Sequence, residues 1–313
     1  MNSNIAFLFP GQGSQHVGMG LELAQNFPIA RELHEHADDI LGYSLSGIAW
    51  QGPFETLSDT INTQPAIFIH SIAVLYLAHH FFPTINPDVI AGHSMGELSA
   101  LTAAGVYSFN NGLSLSCARG TLMKKAGELS PGGMAAVLGL EIPSIEEICT
   151  NASLDNDTVQ IANDNCPGQV VISGTFTALD RALPLLHEAG ARRTIKLDVS
   201  IAAHSHLMRQ AQDDFAREID AIPVIDPKIP VIGNVTARPL HTAEDVRQDL
   251  RDQLTHRVRW TETIRHMQYI GIQHYIELGP GSVLSGLVKR IAPGSSVLNL
   301  STPQDFEKLQ TVL

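Results

Sequence analysis

The residues Gly92-His93-Ser94-Met95-Gly96 set a serine between two glycines, at the point where a compact apolar run, Asp88–Gly92, gives way to a helical pattern over 95–104. A serine hydroxyl is a poor nucleophile unless a base takes its proton and donors stabilise the oxyanion it creates. Glycines on either side of a serine allow a sharp strand-to-helix turn that lifts the hydroxyl clear of a sheet. The helix that follows brings unpaired N–H groups and its positive dipole end alongside. The same residues also fit a serine capping an ordinary helix. The paired glycines and the legible strand and helix favour a nucleophile, and by itself the turn suits hydrolysis as well as transfer.

Such a serine needs a histidine, and the chain has 14. His93 adjoins Ser94, but neighbours at a sharp turn point apart, which makes it a wall of the pocket. His204, in "LDVSIAAHSHLM", precedes a helix at what reads as a domain junction, where a side chain can face a cleft. His206 falls on the helix itself. A second glycine-rich turn, "FPGQGSQ" at 9–15, lets backbone approach a ligand closely, so that one of its amides can join that of Met95 as an oxyanion donor; a plain β–α turn has the same composition. Arg119, in "SCARGTLM", stands in an apolar helix poor in charge. There it forks onto a carboxylate, makes a structural ion pair, or is simply an exposed helix residue. Arg192-Arg193, Lys124-Lys125 and Lys289-Arg290 read as solvated charges, some of which can form a docking patch.

The elements that position these residues follow from periodicity. "NIAFLF" reads as a short buried strand ended by Pro10, and helix-period apolar residues run over 66–81, 95–104 and 111–126. Short buried strands alternating with helices predict a mostly parallel sheet covered on both faces. The rhythm then changes: strand 133–140, helix 144–152 with Ser144 and Glu147 as a capping box, strands 158–163 and 169–174, helix 178–190 stopped at Gly190, and strand 192–199. That β-α-β-β-α-β order is the ferredoxin-like unit. The predicted architecture is an α/β-hydrolase-like body (1–131 and 199–313) with a ferredoxin-like subdomain inserted over 132–198. After the insertion come a helix over 206–220, a strand "IPVIGNV", helices over 243–255 and 260–270, "HYIELGPG" as a strand ending in a tight turn, and a helix over 282–290.

Composition narrows the function. The chain has 313 residues, 44% hydrophobic and 17% charged, enough to bury a sizeable core. A net charge of −12 argues against nonspecific binding to nucleic acid, which needs phosphate-neutralising cations. The longest apolar run, from Pro65 to Phe82, is interrupted by His70, Ser71, His79 and His80 and reads as a core helix, not a membrane span. No leader is read in "MNSNIAFLFPGQGSQ". Cys117, Cys149 and Cys166 have neither the spacing of a zinc site nor the number of a disulfide scaffold. No metal site or bound cofactor is expected. The expected setting is cytoplasmic, as a monomer.

Taken in order, "FPGQGSQ", "TQPA" at 63–66, "GHSMGELSAL", "ARGTLM", "GGMAAVLGL", "CPGQVVISG", "VSIAAHSHLM" and "ELGPGSVLSGLVKRI" span nearly the whole chain. Together they resemble the malonyl-CoA:acyl-carrier-protein transacylases of bacterial fatty-acid synthesis and the related polyketide acyltransferases. The resemblance implies that malonyl-CoA loads Ser94 with His204 as general base, and that the phosphopantetheine thiol of acyl carrier protein collects the malonyl group. It implies an oxyanion hole of the Gln12 and Met95 N–H groups and a malonyl clamp at Arg119. Gln64 would line the pocket, and the backbone carbonyl of Gln253 would orient the histidine. Ala203 and Arg257 depart from the family's commonest residues. The alternatives are a polyketide-pathway acyltransferase, the transacylase component of malonate decarboxylase, a serine thioesterase and a non-catalytic scaffold.

Overall fold

Ile5–Phe9 (β1) is a run of apolar residues that alternates between two interiors. Phe7 and Phe9 join the cluster built on the helices Thr60–Phe81 and Phe109–Leu129, whereas Ala6 and Leu8 join that of Trp260, Met267 and Val288. A strand buried on both faces belongs in the middle of a parallel sheet covered by helices on both sides. The computed structural model describes residues 4–312. Residues 1–3, at the opening read as free of a leader, and residue 313, at the end of the predicted body, lie outside the described residues.

Two sheets are present among the described residues. The larger contains β1, Val89–Gly92 (β2), Val231–Ile232 (β7), Pro239–Leu240 (β8), His274–Leu278 (β9) and Ser296–Leu300 (β10), in the order β10-β9-β1-β2-β7-β8. Every pairing is parallel except the hairpin of β7 with β8. The smaller sheet contains Gly133–Leu138 (β3), Val159–Cys166 (β4), Gln169–Gly174 (β5) and Arg193–Lys196 (β6). It is fully antiparallel in the order β4-β5-β3-β6. The helices Ile142–Ala152 and Phe176–Glu188 give it a separate apolar core through Ile145, Leu179 and Leu186 packed on Val137 and Ile172. The β-α-β-β-α-β order expected from periodicity is present.

Several boundaries differ from expectation, each for a local reason. The Ser144–Glu147 capping box does not form: the helix starts at Ile142 with Glu141 as N-cap and no side-chain cap. Pro143 fills a first-turn position that needs no N–H donor. The strand expected over "IPVIGNV" keeps only Val231 and Ile232 in the ladder, because Asn234 turns away to bond beneath Ser94. The helix expected from 206 opens as a 3-10 turn, His206–Met208, before Arg209–Asp220. Gly190 does stop its helix, with φ of 96°. The helix Thr60–Phe81 is long and apolar enough to cross a membrane, yet 83% of its apolar window is buried inside the fold. It is the expected core helix.

Strand ends on one edge of the larger sheet converge. The turn after β1 (Pro10–Gly13) lies against the turn after β2, where a Cβ on Gly11 would stand 2.4 Å from the His93 carbonyl oxygen. The turn after β9 reaches the same place, its Gly279 packed on Pro10. Carboxyl ends of parallel strands are where open α/β sheets hold ligands. Asp164 on β4 ties the small sheet to this region: its N–H donates to the Val258 carbonyl at 2.9 Å, and its Oδ1 accepts from Thr261 Oγ1 at 2.5 Å.

Candidate active site

Ser94 sits where β2 becomes the helix Gly96–Ala103, with φ of 53°. The left-handed region costs a non-glycine residue about 1–2 kcal/mol. The surroundings hold it there: the Ser94 N–H donates to Asn234 Oδ1 at 2.7 Å, and Asn234 Nδ2 donates to the Gly92 carbonyl at 2.7 Å. Both flanking glycines are needed for space. A Cβ on Gly92 would lie 2.0 Å from the Gly96 carbonyl, and one on Gly96 2.2 Å from that of Phe9. The turn is thus tight enough to press the helix onto β1 and project the hydroxyl outward.

His204 lies in the turn that leaves the small sheet, and it too is left-handed, with φ of 58°. Its Nε2 is 2.8 Å from Ser94 Oγ. Its Nδ1 lies 2.9 Å from the Gln253 carbonyl and 3.1 Å from that of His256. Carbonyls only accept, so Nδ1 carries the proton and Nε2 is left as an acceptor for the serine O–H. Burial, aided by the nearby Arg119 charge, pushes the imidazole down to about 3, and the Gln253 carbonyl only partly opposes this. The ring is therefore a neutral base in one fixed tautomer. Gln160 Nε2 pins the loop by donating to the His204 and Thr255 carbonyls, each at 3.1 Å.

Arg119 reaches the same hydroxyl from the helix Phe109–Leu129. It is 1% exposed, and its Nη2 donates to Ser94 Oγ at 3.1 Å. Its other donors go to neutral amides: Nη1 to Gln64 Oε1 at 3.0 Å, and Nε and Nη2 to Gln253 Oε1 at 3.1 and 2.8 Å. Gln64 is held in turn by Met123, with Nε2 3.3 Å from Sδ. Burial lowers the guanidinium to about 10, and Glu97 opposes the shift, so Arg119 stays charged. Of the alternatives open for Arg119, its burial excludes an exposed helix residue, and the structural ion pair is absent among the described residues.

The other expected residues assemble around this centre. The N–H groups of Gln12 and Met95 have no acceptor among the described residues, and both belong to the turns that meet at the elbow. His93 points to the seam between the sheets, where its Nε2 meets Asn165 Oδ1 at 2.9 Å and its ring meets Trp260 edge-on at 5.4 Å. His206, in the 3-10 turn, is not among the partners of Ser94. Sequence reasoning misses Asn234, Glu97 and Asp249, which lie buried under the elbow. The only local signal for Glu97 is a carboxylate in the first turn of an otherwise apolar helix. No group of three or more histidine, cysteine or acidic side chains among the described residues is arranged to hold a metal ion.

A serine, a neutral histidine held by carbonyls, two free amides and an unpaired arginine form an acyl-transfer site in geometry. The model of the acyl transferase domain matches residues 6–300. The chain belongs to the acyl transferase domain family. It is 42% identical over 305 residues to the malonyl CoA-acyl carrier protein transacylase of Bacillus subtilis, spanning 97% of this chain and 96% of that one. The polyketide biosynthesis protein ThaF of Burkholderia thailandensis is 43% identical over 288 residues, which cover 92% of this chain and 24% of ThaF. Among solved structures, the malonyl-CoA:acyl carrier protein transacylase of Xanthomonas oryzae superposes with a TM-score of 0.95 at 40% identity, covering 100% and 99% of the two chains. A malonyl-transacylase solved in complex with its type II PKS acyl-carrier protein has a TM-score of 0.95 at 38% identity, covering 99% of this chain and 100% of that one.

Proposed function

We propose that this protein transfers a malonyl group from malonyl-CoA to the phosphopantetheine thiol of an acyl carrier protein, through a malonyl ester on Ser94. The observation that carries this reading is the fully buried Arg119, which lies 3.1 Å from the Ser94 hydroxyl and has no carboxylate of its own. A site that leaves a guanidinium without a counter-ion beside its nucleophile suits an acyl group that brings one.

In the first half-reaction His204 Nε2 takes the Ser94 proton as Oγ attacks the thioester carbonyl. The oxyanion of the tetrahedral intermediate is held by the Gln12 and Met95 N–H groups. Its collapse breaks the C–S bond, and the histidine returns the proton to the departing CoA sulfur. In the second half-reaction the carrier thiol gives its proton to His204 and attacks the ester, and Ser94 leaves with that proton. An imidazolium buried beside Arg119 is unfavourable, which favours prompt return of the proton in both steps. Arg119 and Gln64 hold the malonyl carboxylate, His93 braces the elbow from the seam through Asn165 and Trp260, and the Gln253 carbonyl keeps the imidazole in register.

The finer fold description belongs to the same reading: a hydrolase-like body over 1–131 and 199–313, and a ferredoxin-like subdomain over 132–198 that closes one side of the cleft. The proposed setting is a cytoplasmic monomer needing no bound cofactor. A polyketide carrier is the second reading, favoured by the 43% identity to ThaF. Intact-mass spectrometry after malonyl-CoA is added should show one malonyl adduct, absent from Ser94→Ala, that phosphopantetheinylated carrier removes as malonyl-carrier. Release of the adduct to water at the same rate without carrier would reassign the protein as a hydrolase. Fatty-acid and polyketide carriers compared in the chase separate the two pathways.

A further inference from the structure

Under the elbow, two buried carboxyl groups stand side by side. Glu97, on the helix that follows Ser94, and Asp249, on the helix Ala243–Gln253, are 0% and 4% exposed. The Asn234 N–H donates to both, at 3.0 Å to Glu97 Oε1 and 3.2 Å to Asp249 Oδ2. Two oxygens that share one N–H donor are neighbours, and two negative charges cannot stay in contact in an interior without a cation between them. The nearest cation, Arg119, is set back by one amide: Gln253 Oε1 accepts from Arg119 while Gln253 Nε2 donates to Glu97 Oε2. Gly233 makes room for the pair, since a Cβ there would lie 2.4 Å from Asp249 Oδ1.

We infer that Glu97 and Asp249 hold one proton between them, and that this acid–carboxylate pair is a positioning device for the reaction, fixing the Ser94 turn through Asn234 and the Arg119 guanidinium through Gln253. The hydrogen bonds place the proton between the two groups. Asp249 needs both oxygens as acceptors, Oδ2 for the Asn234 N–H and Oδ1 for that of Val235 at 3.3 Å. Glu97 likewise accepts through both oxygens, Oε1 from Asn234 and Oε2 from Gln253, so no oxygen of the pair is spare and the proton lies on a second lone-pair direction where the two carboxyl groups face each other. Burial first and Asp249 second push the Glu97 carboxyl well above the usual carboxylate range, in agreement.

The single charge left on the pair stays one amide away from Arg119, offsetting the guanidinium from behind through Gln253 without replacing a carboxylate beside Ser94. This compensates the guanidinium without occupying the donors that face Ser94. Other ionisable groups around the pair are Tyr107, whose hydroxyl donates to the Leu98 carbonyl at 3.2 Å, and Asp252 on the Asp249 helix. The role rests on the reading of Ser94 as the nucleophile, but the proton sharing does not.

The test uses the full chain and two measurements. Difference infrared spectra on exchange into heavy water should show a buried carboxylic-acid C=O band in the wild type, lost in Glu97→Gln and kept in Ser94→Ala. Reactivity of Ser94 toward a fluorophosphonate reads the nucleophile whatever its natural acyl group. Glu97→Gln keeps an amide N–H for Asp249 and an oxygen for Gln253, gives up the Asn234 contact to Oε1 while the one to Asp249 Oδ2 remains, and should stay within a few-fold of the wild type. Glu97→Ala and Asp249→Asn each break the network and should lose about 10²-fold, the scale of a small displacement of reacting groups. The alkaline loss of reactivity that follows ionisation of the shared proton should disappear in Glu97→Gln, which keeps the network but has no such proton to lose. Absence of the acid band, or Glu97→Gln as impaired as Glu97→Ala, overturns the proposal. Where Glu97→Ala or Asp249→Asn does not fold, the band and the pH profile of Glu97→Gln decide it. An unreactive Ser94 with the band intact refutes only the nucleophile reading.

Discussion

Arg119 acts on two groups at once: its charge lowers the basicity of His204, and its Nη2 donates to the Ser94 hydroxyl. Its replacement should therefore separate the two effects. In Arg119→Ala the loss of a buried charge–carboxylate contact, about 3 kcal/mol, should cut malonyl loading roughly 10²-fold. Acetyl-CoA, which has no carboxylate to place, should gain relative to malonyl-CoA. The sign of the pH effect follows from linkage. The wild-type imidazole is held down to about 3 by burial and then by Arg119, so it stays a neutral base through the weakly acidic range. Without Arg119 its basicity rises, and the acid loss of acetyl loading should begin at a higher pH. Rates of acyl-enzyme formation from both thioesters across pH check this; unchanged selectivity would remove Arg119 from the clamp. At this scale the sequence is readable where chemistry leaves a local mark: Ser94 between glycines, His204 at a junction, Arg119 among apolar residues. Asn234, Glu97 and Asp249 leave little mark, because a buried polar residue looks like a surface one until its partners from distant segments are known.

The elbow is an element whose function depends on missing atoms. On Gly96 an added Cβ would meet the Phe9 backbone carbonyl at 2.2 Å, and backbone in the centre of a sheet cannot rotate away. Gly96→Ala must lift the helix Gly96–Ala103 off β1, at the 1–3 kcal/mol or more typical of overpacking. The displacement would carry the Met95 N–H with it, so acyl-enzyme formation should fall along with thermal stability. Gly286 is the internal comparison: exposed in the helix Val283–Ile291, with nothing within 4 Å of an added Cβ. Gly286→Ala should stabilise by about 0.5–1 kcal/mol and leave loading unchanged. Melting curves and loading rates of the two variants side by side test the argument, and equal effects would show that helix propensity, not crowding at the elbow, governs both. Periodicity reveals the helix and strand that flank Ser94 because each buries a continuous apolar face. It fails at Ser144, where a side-chain motif suggested a cap and Pro143 had already set the start. It also overextends β7, where a run of strand-forming residues is cut short because Asn234 is needed elsewhere.

At the scale of the whole molecule, the antiparallel insertion is legible from its order of elements, whereas the short helices between Leu21 and Ser58 and the strand β10 are not. Most of those pieces have too few residues for a period to register and are fixed by the body they pack on; the exception is the 14-residue helix Pro28–Leu41, whose apolar stripe is only Ala30, Leu33 and Ala37 beside His34. The fold also joins two charge clusters that are far apart in sequence. Arg192 packs over Gly139, the Gly139 N–H donates to the Gly168 carbonyl at 2.9 Å, and Arg290 Nη2 donates to the adjacent Pro167 carbonyl at 3.3 Å. Arg192 and Arg290 thus flank the β4–β5 turn, with Arg193 and Lys289 beside them in sequence, all four exposed and without ion pairs among the described residues. On a chain of net charge −12 such an island stands out as a landing site for an acidic partner. If the carrier docks there, replacing Arg192 and Arg290 with glutamate should raise the KM for carrier and make it less sensitive to salt, because attraction between the two surfaces has been removed. Loading from malonyl-CoA should not change, since that half-reaction needs only the pocket around Ser94. A matching loss in both half-reactions would place the damage in the fold instead of the docking surface and move the landing site elsewhere.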